Sequence, residues 1–359
     1  MSRAWGAAKS VLCVRLDTLG DVLMTTPALR ALGASEPRPR LTLLTSQAGA
    51  EAARLVPEVG ETIVYDAPWL KASRPRVDAA PEFAMAERLK ACRFDAAVIF
   101  TVYTQSPLPA ALLCHLAGIP LRLAHCRENP YGLLTEWVPE PEPERCIRHE
   151  VQRQLDLVAG VGFCCGDDSL SLTVPEEARA RVAALLEPLS LRERVVVVHP
   201  GASAPSRRYA PAGFADAARR LVEEGCSVIF TGAAHEEGLV DEVRALAGAP
   251  TNSLAGRLGL AGLAALLERA SLLISNNTGP IHVACAVGTP VVDIYALTNP
   301  QHTPWGVPHR VLFHDVACRW CFKSVCPEGH HNCLRLVAPD EVVAAALELL
   351  EPSARTALP

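Results

Sequence analysis

The sequence has no excess of basic residues and no long apolar run. Its 359 residues carry a formal net charge of −5 at pH 7. No block of Lys and Arg forms a phosphate-binding stripe, which argues against a nucleic-acid partner. The apolar run VLCV (11–14) ends at Arg15, so it is too short for the core of a signal peptide or for a membrane span. We therefore expect a cytoplasmic protein with no transmembrane segment.

Two common nucleotide-binding signatures are also missing. The chain has no G-x-G-x-x-G motif after a predicted strand and no Walker-type lysine loop. The stretches GVGFCCG (160–166) and GRLGLAGL (256–263) have the wrong spacing, and the first of them follows a helical pattern rather than a strand. The sequence therefore disfavours dinucleotide-dependent dehydrogenases and P-loop nucleotidases.

Disulfides are not expected, although the chain has thirteen cysteines. Several lie in apolar stretches, as Cys13 does, where a reduced thiol packs as a small hydrophobic group. The last four form a C-x2-C-x4-C-x6-C cluster, namely Cys318, Cys321, Cys326 and Cys333. A structural zinc or iron site and packed free thiols explain this cluster about equally well, because the x4 and x6 intervals are irregular for zinc.

Short apolar runs alternate with amphipathic helical patterns along the chain. The runs cover 11–16, 41–45, 62–66 and 96–100 in the first half and 195–201, 227–232, 271–275 and 290–295 in the second. Because the runs are uniformly apolar, they predict buried parallel strands and an α/β fold.

The length suits two domains, and half of the residues are hydrophobic, so each domain can bury a core. The stretch PEPEPERC (139–146) interrupts the alternation, and a predicted helix over 148–162 follows it. We place the domains at 1–172 and 173–359. Two such α/β halves would leave a cleft between the carboxyl ends of their sheets, where folds of this kind bind ligands.

Every candidate site lies where a predicted strand is followed by a helix. In RLDTLGDV (15–22), a turn ahead of the helix carries Asp17, Gly20 and Asp21. Gly20 would let the backbone approach a ligand closely. Asp21 would either cap the helix or act as a general base. The functional case for Asp17 is weaker.

The second half offers two polar loops after predicted strands. In HPGASAPSRRYAPAGF (199–214), backbone N–H groups near Ser203 and the guanidinium of Arg207 or Arg208 would bind phosphate oxygens, unless these arginines are simply solvated. In FTGAAHEE (230–237), Glu236 would accept hydrogen bonds from ribose hydroxyls or would stand in the first turn of a helix.

A third position in the second half is SNNTGPIHVACAVGTPVV (275–292). Asn277, Thr278 and Gly279 lie where the N–H groups of a helix start can face an anion, and His282 follows one turn later. A lone helical His is more often a satisfied polar residue than a catalyst. Together, the sites predict that a donor nucleotide binds the second domain and an acceptor binds the first.

The motifs RLDTLGDVLMTTPALRAL, HPGASAPSRRYAPAGFADAARRL, FTGAAHEE and ISNNTGPIHVACAVGTPVVDIYALTNP resemble glycosyltransferase family 9, the ADP-heptose:lipopolysaccharide heptosyltransferases. The resemblance implies a glycosyltransferase B fold, in which two Rossmann-like domains face each other across a cleft. It implies an acceptor domain at 1–172 and a nucleotide-sugar domain at 173–359.

The resemblance also implies inverting transfer of a heptose or related sugar, with no metal ion or cofactor required. The donor would be a nucleotide sugar, ADP-heptose by the family's pattern, and the acceptor a lipid-linked saccharide of the lipopolysaccharide core. Such an acceptor would bring the protein into peripheral contact with the inner membrane. Asp21 matches the family's general base, with Asp17 and Gly20 on the acceptor side.

The chain departs from the family's pattern at two positions. The family usually has Lys where this chain has Arg207, and Asp where it has Asn277. Arg207 keeps the positive charge and can bind phosphate bidentately, whereas Asn277 keeps an acceptor oxygen but loses the carboxylate. Two alternatives therefore stay open, a weakly active nucleotide-sugar-binding protein and a nucleotide-sugar epimerase of the same fold.

Overall fold

The computed structural model describes residues 3–70, 73 and 76–351 and divides into two compact units. The division falls between Thr173 and Val174, one residue beyond the expected boundary. Each unit holds one six-stranded sheet in which every strand pair is parallel. This confirms the predicted α/β fold class. Among the described residues, no helix is both long enough and apolar enough to cross a bilayer.

The first unit has the strand order β3-β2-β1-β4-β5-β6. Its strands are β1 (Ser10–Arg15), β2 (Arg40–Thr45), β3 (Glu61–Val64), β4 (Ala96–Ile99), β5 (Leu121–Cys126) and β6 (Glu136–Pro139). Its helices are α1 (Arg3–Gly6), α2 (Leu19–Gly33), α3 (Gln47–Ala53), α4 (Ala80–Cys92), α5 (Leu108–Leu116) and α6 (Glu150–Ala159). The order reverses between β1 and β4, the position at which sheets of this kind bind ligands.

The second unit has the strand order β12-β11-β10-β7-β8-β9, which reverses between β7 and β10. Its strands are β7 (Val195–His199), β8 (Ser227–Phe230), β9 (Asn252–Ser253), β10 (Leu272–Asn276), β11 (Val291–Ile294) and β12 (His309–Leu312). Its helices are α7 (Glu176–Leu186), α8 (Pro211–Glu223), α9 (Glu237–Ala247), α10 (Leu260–Arg269), α11 (Gly279–Val287), α12 (Asn332–Arg335) and α13 (Pro339–Leu350).

Each of the predicted apolar runs forms a strand. Uniformly apolar strands suit a parallel sheet, because both of its faces are covered. Val196, Val228 and Leu272, for example, are fully buried in the core of the second unit. Burial of each such side chain contributes about 1.5–3 kcal/mol. The carboxy-terminal helix α13 packs on α8 and on β10, β11 and β12, so its apolar stripe belongs to this core.

The apolar runs do not predict β5, because it carries two buried polar side chains. Arg122 donates from Nε to the Leu133 carbonyl at 2.7 Å, and His125 Nε2 lies 3.1 Å from the Arg153 carbonyl. These hydrogen bonds satisfy groups that would otherwise destabilise a buried strand. The short edge strands β6, β9 and β12 are only half-buried or partly exposed, so they lack the uniform apolar signal.

Candidate functional site

A buried arginine stands at the carboxyl end of β1, where the strand order of the first unit reverses. The Arg15 side chain is 0% exposed and contacts three carboxylates, each through a different nitrogen. Nη1 lies 2.8 Å from Glu150 Oε1, Nη2 lies 3.0 Å from Asp21 Oδ1, and Nε lies 3.1 Å from Asp17 Oδ2. Burial alone would lower the pKa of Arg15, but its attraction to Glu150, Asp17 and Asp21 outweighs burial and raises it. The guanidinium therefore stays charged and fixes both aspartates.

Glu150 connects this cluster to α6. Its Oε1 also accepts a hydrogen bond from Gln154 Nε2 at 2.6 Å, and Gln154 Nε2 lies 3.0 Å from the Thr101 carbonyl after β4. Glu150 and Gln154 lie one helical turn apart, so both face the sheet. The helix α6 thus supplies the third carboxylate that contacts Arg15.

Asp21 lies in the first turn of α2 and not in a turn ahead of the helix, because α2 begins at Leu19. The same holds for Gly20, which is buried. The helix begins this early because Thr18 and Asp21 form a capping box. The Thr18 N–H and hydroxyl donate to Asp21 Oδ2 at 3.0 and 2.7 Å. Asp21 therefore caps α2, and its side chain keeps 11% exposure; its role as a general base stays a prediction.

Asp17 is the second carboxylate at this end of β1. Its Oδ1 accepts a hydrogen bond from Gln105 Nε2 at 2.7 Å. Burial raises the pKa of Asp17 to about 6, with Arg15 opposing the shift and Asp21 adding to it. Asp17 and Asp21 thus carry like charges next to one guanidinium.

The loop after β7 carries the predicted phosphate-binding residues of the second unit. Ser203 is exposed, and Arg207 ends the 3-10 helix Pro205–Arg207 with its side chain half-buried. Arg207 Nε donates to Thr298 Oγ1 at 3.3 Å, whereas the exposed Arg208 donates to the Ala202 carbonyl of its own loop at 2.8 Å. Ser206, which directly precedes Arg207, is buried. Its hydroxyl donates to the Lys323 carbonyl at 2.7 Å and anchors the loop.

The end of β10 is joined to this loop by Asn276. Its Oδ1 accepts a hydrogen bond from Tyr209 N at 2.9 Å, and its Nδ2 donates to the Pro200 carbonyl at 2.7 Å. Asn276 is fully buried, so its role is to hold the loops after β7 and β10 together. The structure therefore brings Arg207 and the Asn277–Gly279 turn to one edge of the sheet.

Asn277 forms an amide–carboxyl pair with a buried aspartate. Its Nδ2 lies 3.3 Å from Asp293 Oδ2 and 2.9 Å from the His302 carbonyl. Asp293 is 0% exposed on β11, and its Oδ1 has no hydrogen-bond partner among the described residues. Burial raises the pKa of Asp293 to about 8, while the Asn277 hydrogen bond and the charge of Arg207 oppose the rise. A carboxyl group is thus present beside Asn277.

Thr278 precedes α11 in an extended conformation, and Gly279 is the first helical residue. Pro280 has no N–H, so the N–H groups at the helix start are those of the residues around Gly279. Both Thr278 and Gly279 are half-buried, which leaves them accessible to a ligand. His282 lies one turn later and is buried.

Glu236 folds back over the end of β7. Its Oε2 accepts the Ala233 N–H at 2.8 Å and lies 3.7 Å from His199 Nε2. A Cβ at Gly201 would lie 2.1 Å from Glu236 Oε1, so only glycine lets the carboxylate come this close. Glu236 therefore caps its own 3-10 helix, Ala234–Glu236, while its side chain keeps 13% exposure.

The four clustered cysteines are free and half-buried. Cys318 Sγ lies 3.9 Å from His330 Nε2. Burial raises the pKa of Cys333, and the charges of the thiols at 326, 318 and 321 add to the rise. Across the described part of the chain, no three His, Cys, Asp or Glu side chains are placed to hold a metal ion. The structural metal site stays a prediction.

Sequence reasoning missed three of the residues that shape these sites, Arg15, Glu150 and Asp293. Asp293 had a visible signal, because it is a lone carboxylate in the apolar run PVVDIY. Arg15 had one too, as the charged end of VLCVR. Glu150 had none, because it is 135 residues from the arginine that it contacts.

The chain matches the family model of glycosyltransferase family 9 (heptosyltransferase) over residues 82–332. Lipopolysaccharide heptosyltransferase 2 of Escherichia coli (strain K12) is 24% identical over 355 residues, which are 95% of this chain and 98% of that protein. The span matched by the family model contains Arg207, Asn277 and Asp293. These matches confirm the family that the motifs resemble.

Two solved structures have the same fold. The glycosyl transferase family 9 protein of Veillonella parvula DSM 2008 has a TM-score of 0.80 at 23% identity, covering 95% of this chain and 97% of that one. The ADP-heptose lps heptosyltransferase II of Escherichia coli has a TM-score of 0.72 at 22% identity, covering 95% and 98%. This likeness confirms the predicted fold class of two Rossmann-like domains.

Proposed function

Because the chain belongs to glycosyltransferase family 9, the heptosyltransferases, and is therefore a glycosyltransferase, we propose that it transfers heptose from ADP-heptose to a saccharide of the lipopolysaccharide core. The observation that carries this proposal is the family match over residues 82–332. The two polar sites at the strand-order reversals support it, since one is acidic and the other carries Arg207 beside a helix start. The acidic site of the first unit serves the acceptor, and the site of the second unit serves the donor.

Asp21 is the general base of the proposed reaction. It takes the proton of the acceptor hydroxyl as the hydroxyl oxygen attacks the anomeric carbon of the donor from the face opposite to the diphosphate. The sugar passes through an oxocarbenium-like state, as in glycoside hydrolysis. Each Asp21 oxygen accepts hydrogen bonds from Thr18 or Arg15. These hydrogen bonds fix the orientation of the carboxylate, and the side chain keeps 11% exposure.

The donor residues stabilise the leaving diphosphate. Arg207 supplies positive charge, and the N–H groups at Thr278 and Gly279 supply donors at a helix start, where an anion is favoured. These groups meet the charge that develops as the glycosidic bond breaks, so the proposed transfer requires no metal ion. Ser203, Glu236, Asn277 and His282 complete the proposed donor site, with Glu236 accepting from ribose hydroxyls.

The experiment is a mass-spectrometric screen of ADP-, GDP- and UDP-sugars, including ADP-heptose, against lipopolysaccharide-core saccharides. We expect a product one heptose heavier than the acceptor, formed from ADP-heptose and requiring the acceptor. Glu51→Gln serves as a control variant, because Glu51 is an exposed carboxylate on α3. Binding of ADP-heptose without product from any acceptor would contradict the proposal. A new nucleotide sugar formed without an acceptor would identify an epimerase and would also contradict it.

A further inference from the structure

A pocket opens at the carboxyl ends of β1 and β4, where the strand order of the first unit reverses. Its volume is about 290 Å³, at the lower end of the range of small-molecule sites, roughly 300–1,000 Å³. A pocket of this size suits one monosaccharide ring rather than a whole oligosaccharide. We call it the β1/β4 pocket; it is lined by Val14, Leu16, Asp17, Trp69, Leu70, Ile99, Phe100, Thr101, Thr104, Gln105, Ser106, Pro109 and Ala110.

The lining of the β1/β4 pocket combines an apolar wall with a polar rim. Trp69 is half-buried and holds an edge-to-face contact with Tyr65, with ring centroids 5.8 Å apart. The polar rim comes from Asp17, Gln105 and the hydroxyls of Thr104 and Ser106. A pyranose ring has C–H groups on its faces and hydroxyls around its edge, so an aromatic wall with such a rim matches both parts of a sugar.

The charge of the β1/β4 pocket is negative. None of its described lining residues is Lys, Arg or His. Arg15 stands behind Asp17, but its charge is shared among Asp17, Asp21 and Glu150, so three carboxylates surround one guanidinium. Arg15 offsets only part of the charge of three carboxylates, so this wall keeps a net negative charge toward a ligand. A ligand carboxylate or phosphate near Asp17 would therefore be repelled.

The Asp17 carboxylate is held in a fixed direction. Gln105 Nε2 donates to Oδ1 at 2.7 Å, and Oδ2 lies 3.1 Å from Arg15 Nε. The side chain is 15% exposed, so part of it faces the pocket and can still accept hydrogen bonds from ligand hydroxyls. A carboxylate fixed in this way distinguishes a hydroxyl from an anion better than a mobile one does.

We propose that the β1/β4 pocket binds the ring of an uncharged acceptor sugar and that Asp17 determines this specificity. Asp17 accepts hydrogen bonds from ring hydroxyls and excludes sugars that carry a carboxylate at the corresponding position. This inference rests on the proposed function in taking the ligand as the acceptor. It goes beyond that function in naming the charge class of the sugar and the residue that selects it.

The test measures binding without any donor. Protein labelled with 5-fluorotryptophan is titrated at pH 8 with methyl α-D-mannopyranoside or with its C6 uronic acid, which differ only in a hydroxymethyl and a carboxylate group. The Trp69→Phe variant assigns the Trp69 fluorine signal. We expect this signal to shift with the mannoside, with at least tenfold weaker binding of the uronic acid. In Asp17→Asn the difference falls below threefold, while Glu51→Gln keeps it.

The outcomes separate this inference from the proposed function. If the Trp69 signal does not respond to the mannoside, or if the wild-type protein binds both sugars within threefold, the inference is wrong even when heptose transfer is observed. If the discrimination is present and depends on Asp17, the inference holds even when no nucleotide sugar is used. Because the wild-type comparison is decisive alone, a poorly folded Asp17→Asn variant does not remove the test.

Discussion

The side-chain amide of Asn277 donates to Asp293 across two neighbouring strands, with Nδ2 3.3 Å from Oδ2. Ser275 and Asp293 are register partners on β10 and β11, so the turn after β10 brings Asn277 next to the carboxyl group. In the described part of the chain, the second oxygen of that group, Oδ1, has no hydrogen-bond partner. The buried carboxyl group of Asp293 therefore lies beside the amide side chain of Asn277.

This pair predicts a pH dependence of stability. The folded pKa of Asp293, about 8, lies above the ordinary value of 3.8, so between about pH 4 and pH 8 the folded state binds more protons than the unfolded state. Stability must then fall as pH rises through this window, by up to about 1.4 kcal/mol per pH unit. Asp293→Asn removes the titration and should flatten the slope.

Urea unfolding at pH 5, 6 and 7 measures this effect. From pH 5 to pH 7 we expect the free energy of unfolding to fall by about 2–3 kcal/mol more in the wild-type protein than in Asp293→Asn. Asp78→Asn is the matched control, because Asp78 is exposed, and it should follow the wild-type slope. Identical slopes for Asp293→Asn and the wild type would show that Asp293 is ionised in the folded protein.

The Arg15 cluster predicts a large loss of stability when the guanidinium is removed. Arg15→Met would leave the carboxylates of Asp17, Asp21 and Glu150 close together without their cation, which costs about 3–5 kcal/mol for a buried pair. Arg15→Lys keeps the charge, but a single ammonium group cannot contact three carboxylates as the planar guanidinium does. We therefore expect an intermediate loss of stability. Chemical denaturation compares both variants with Arg54→Lys, an exposed substitution on the same unit. A decrease of less than about 1 kcal/mol in the free energy of unfolding of Arg15→Met would contradict this role of Arg15.

The cysteine cluster allows a direct test of the predicted structural metal site. Cys318 Sγ lies 3.9 Å from His330 Nε2, and the thiols of Cys318, Cys321 and Cys326 lie near enough to Cys333 to add to the rise of its pKa. If the four thiols hold a metal ion, elemental analysis of untagged protein should give about one equivalent of zinc or iron, since a closed structural site has four ligands. Less than about 0.2 equivalents of both metals would contradict a metal site and identify packed free thiols.

The sequence predicts the strands and the positions of the polar loops well, because both follow from local patterns. The runs at 195–201 and 271–275 become β7 and β10, and the turn that follows each carries Arg207 or Asn277 as expected. Asp21 could be placed at a helix start from the motif alone. Its position inside the first turn depends on Thr18, whose capping hydrogen bonds form only once the helix exists.

Long-range pairs could not be predicted from one sequence. Arg15 and Glu150 are 135 residues apart, and no periodicity connects them. Gln105 meets Asp17 only because β4 lies next to β1 in the sheet, so the β1/β4 pocket depends on strand order rather than on any motif. The buried β5 was missed for a related reason, since the partners that make Arg122 acceptable in a strand come from the segment after it.

The most direct test of the account is the turnover of Asp21→Asn with ADP-heptose and a lipopolysaccharide-core saccharide. Asn has nearly the same shape as Asp, but it lacks the negative charge that pairs with Arg15. Circular dichroism and urea unfolding must therefore first show that the variant is folded. The account predicts that kcat falls at least 100-fold, within the range of about 10²–10⁴ for general-base catalysis, while the KM for the donor changes less than threefold. A kcat within a few-fold of the wild-type value would contradict it.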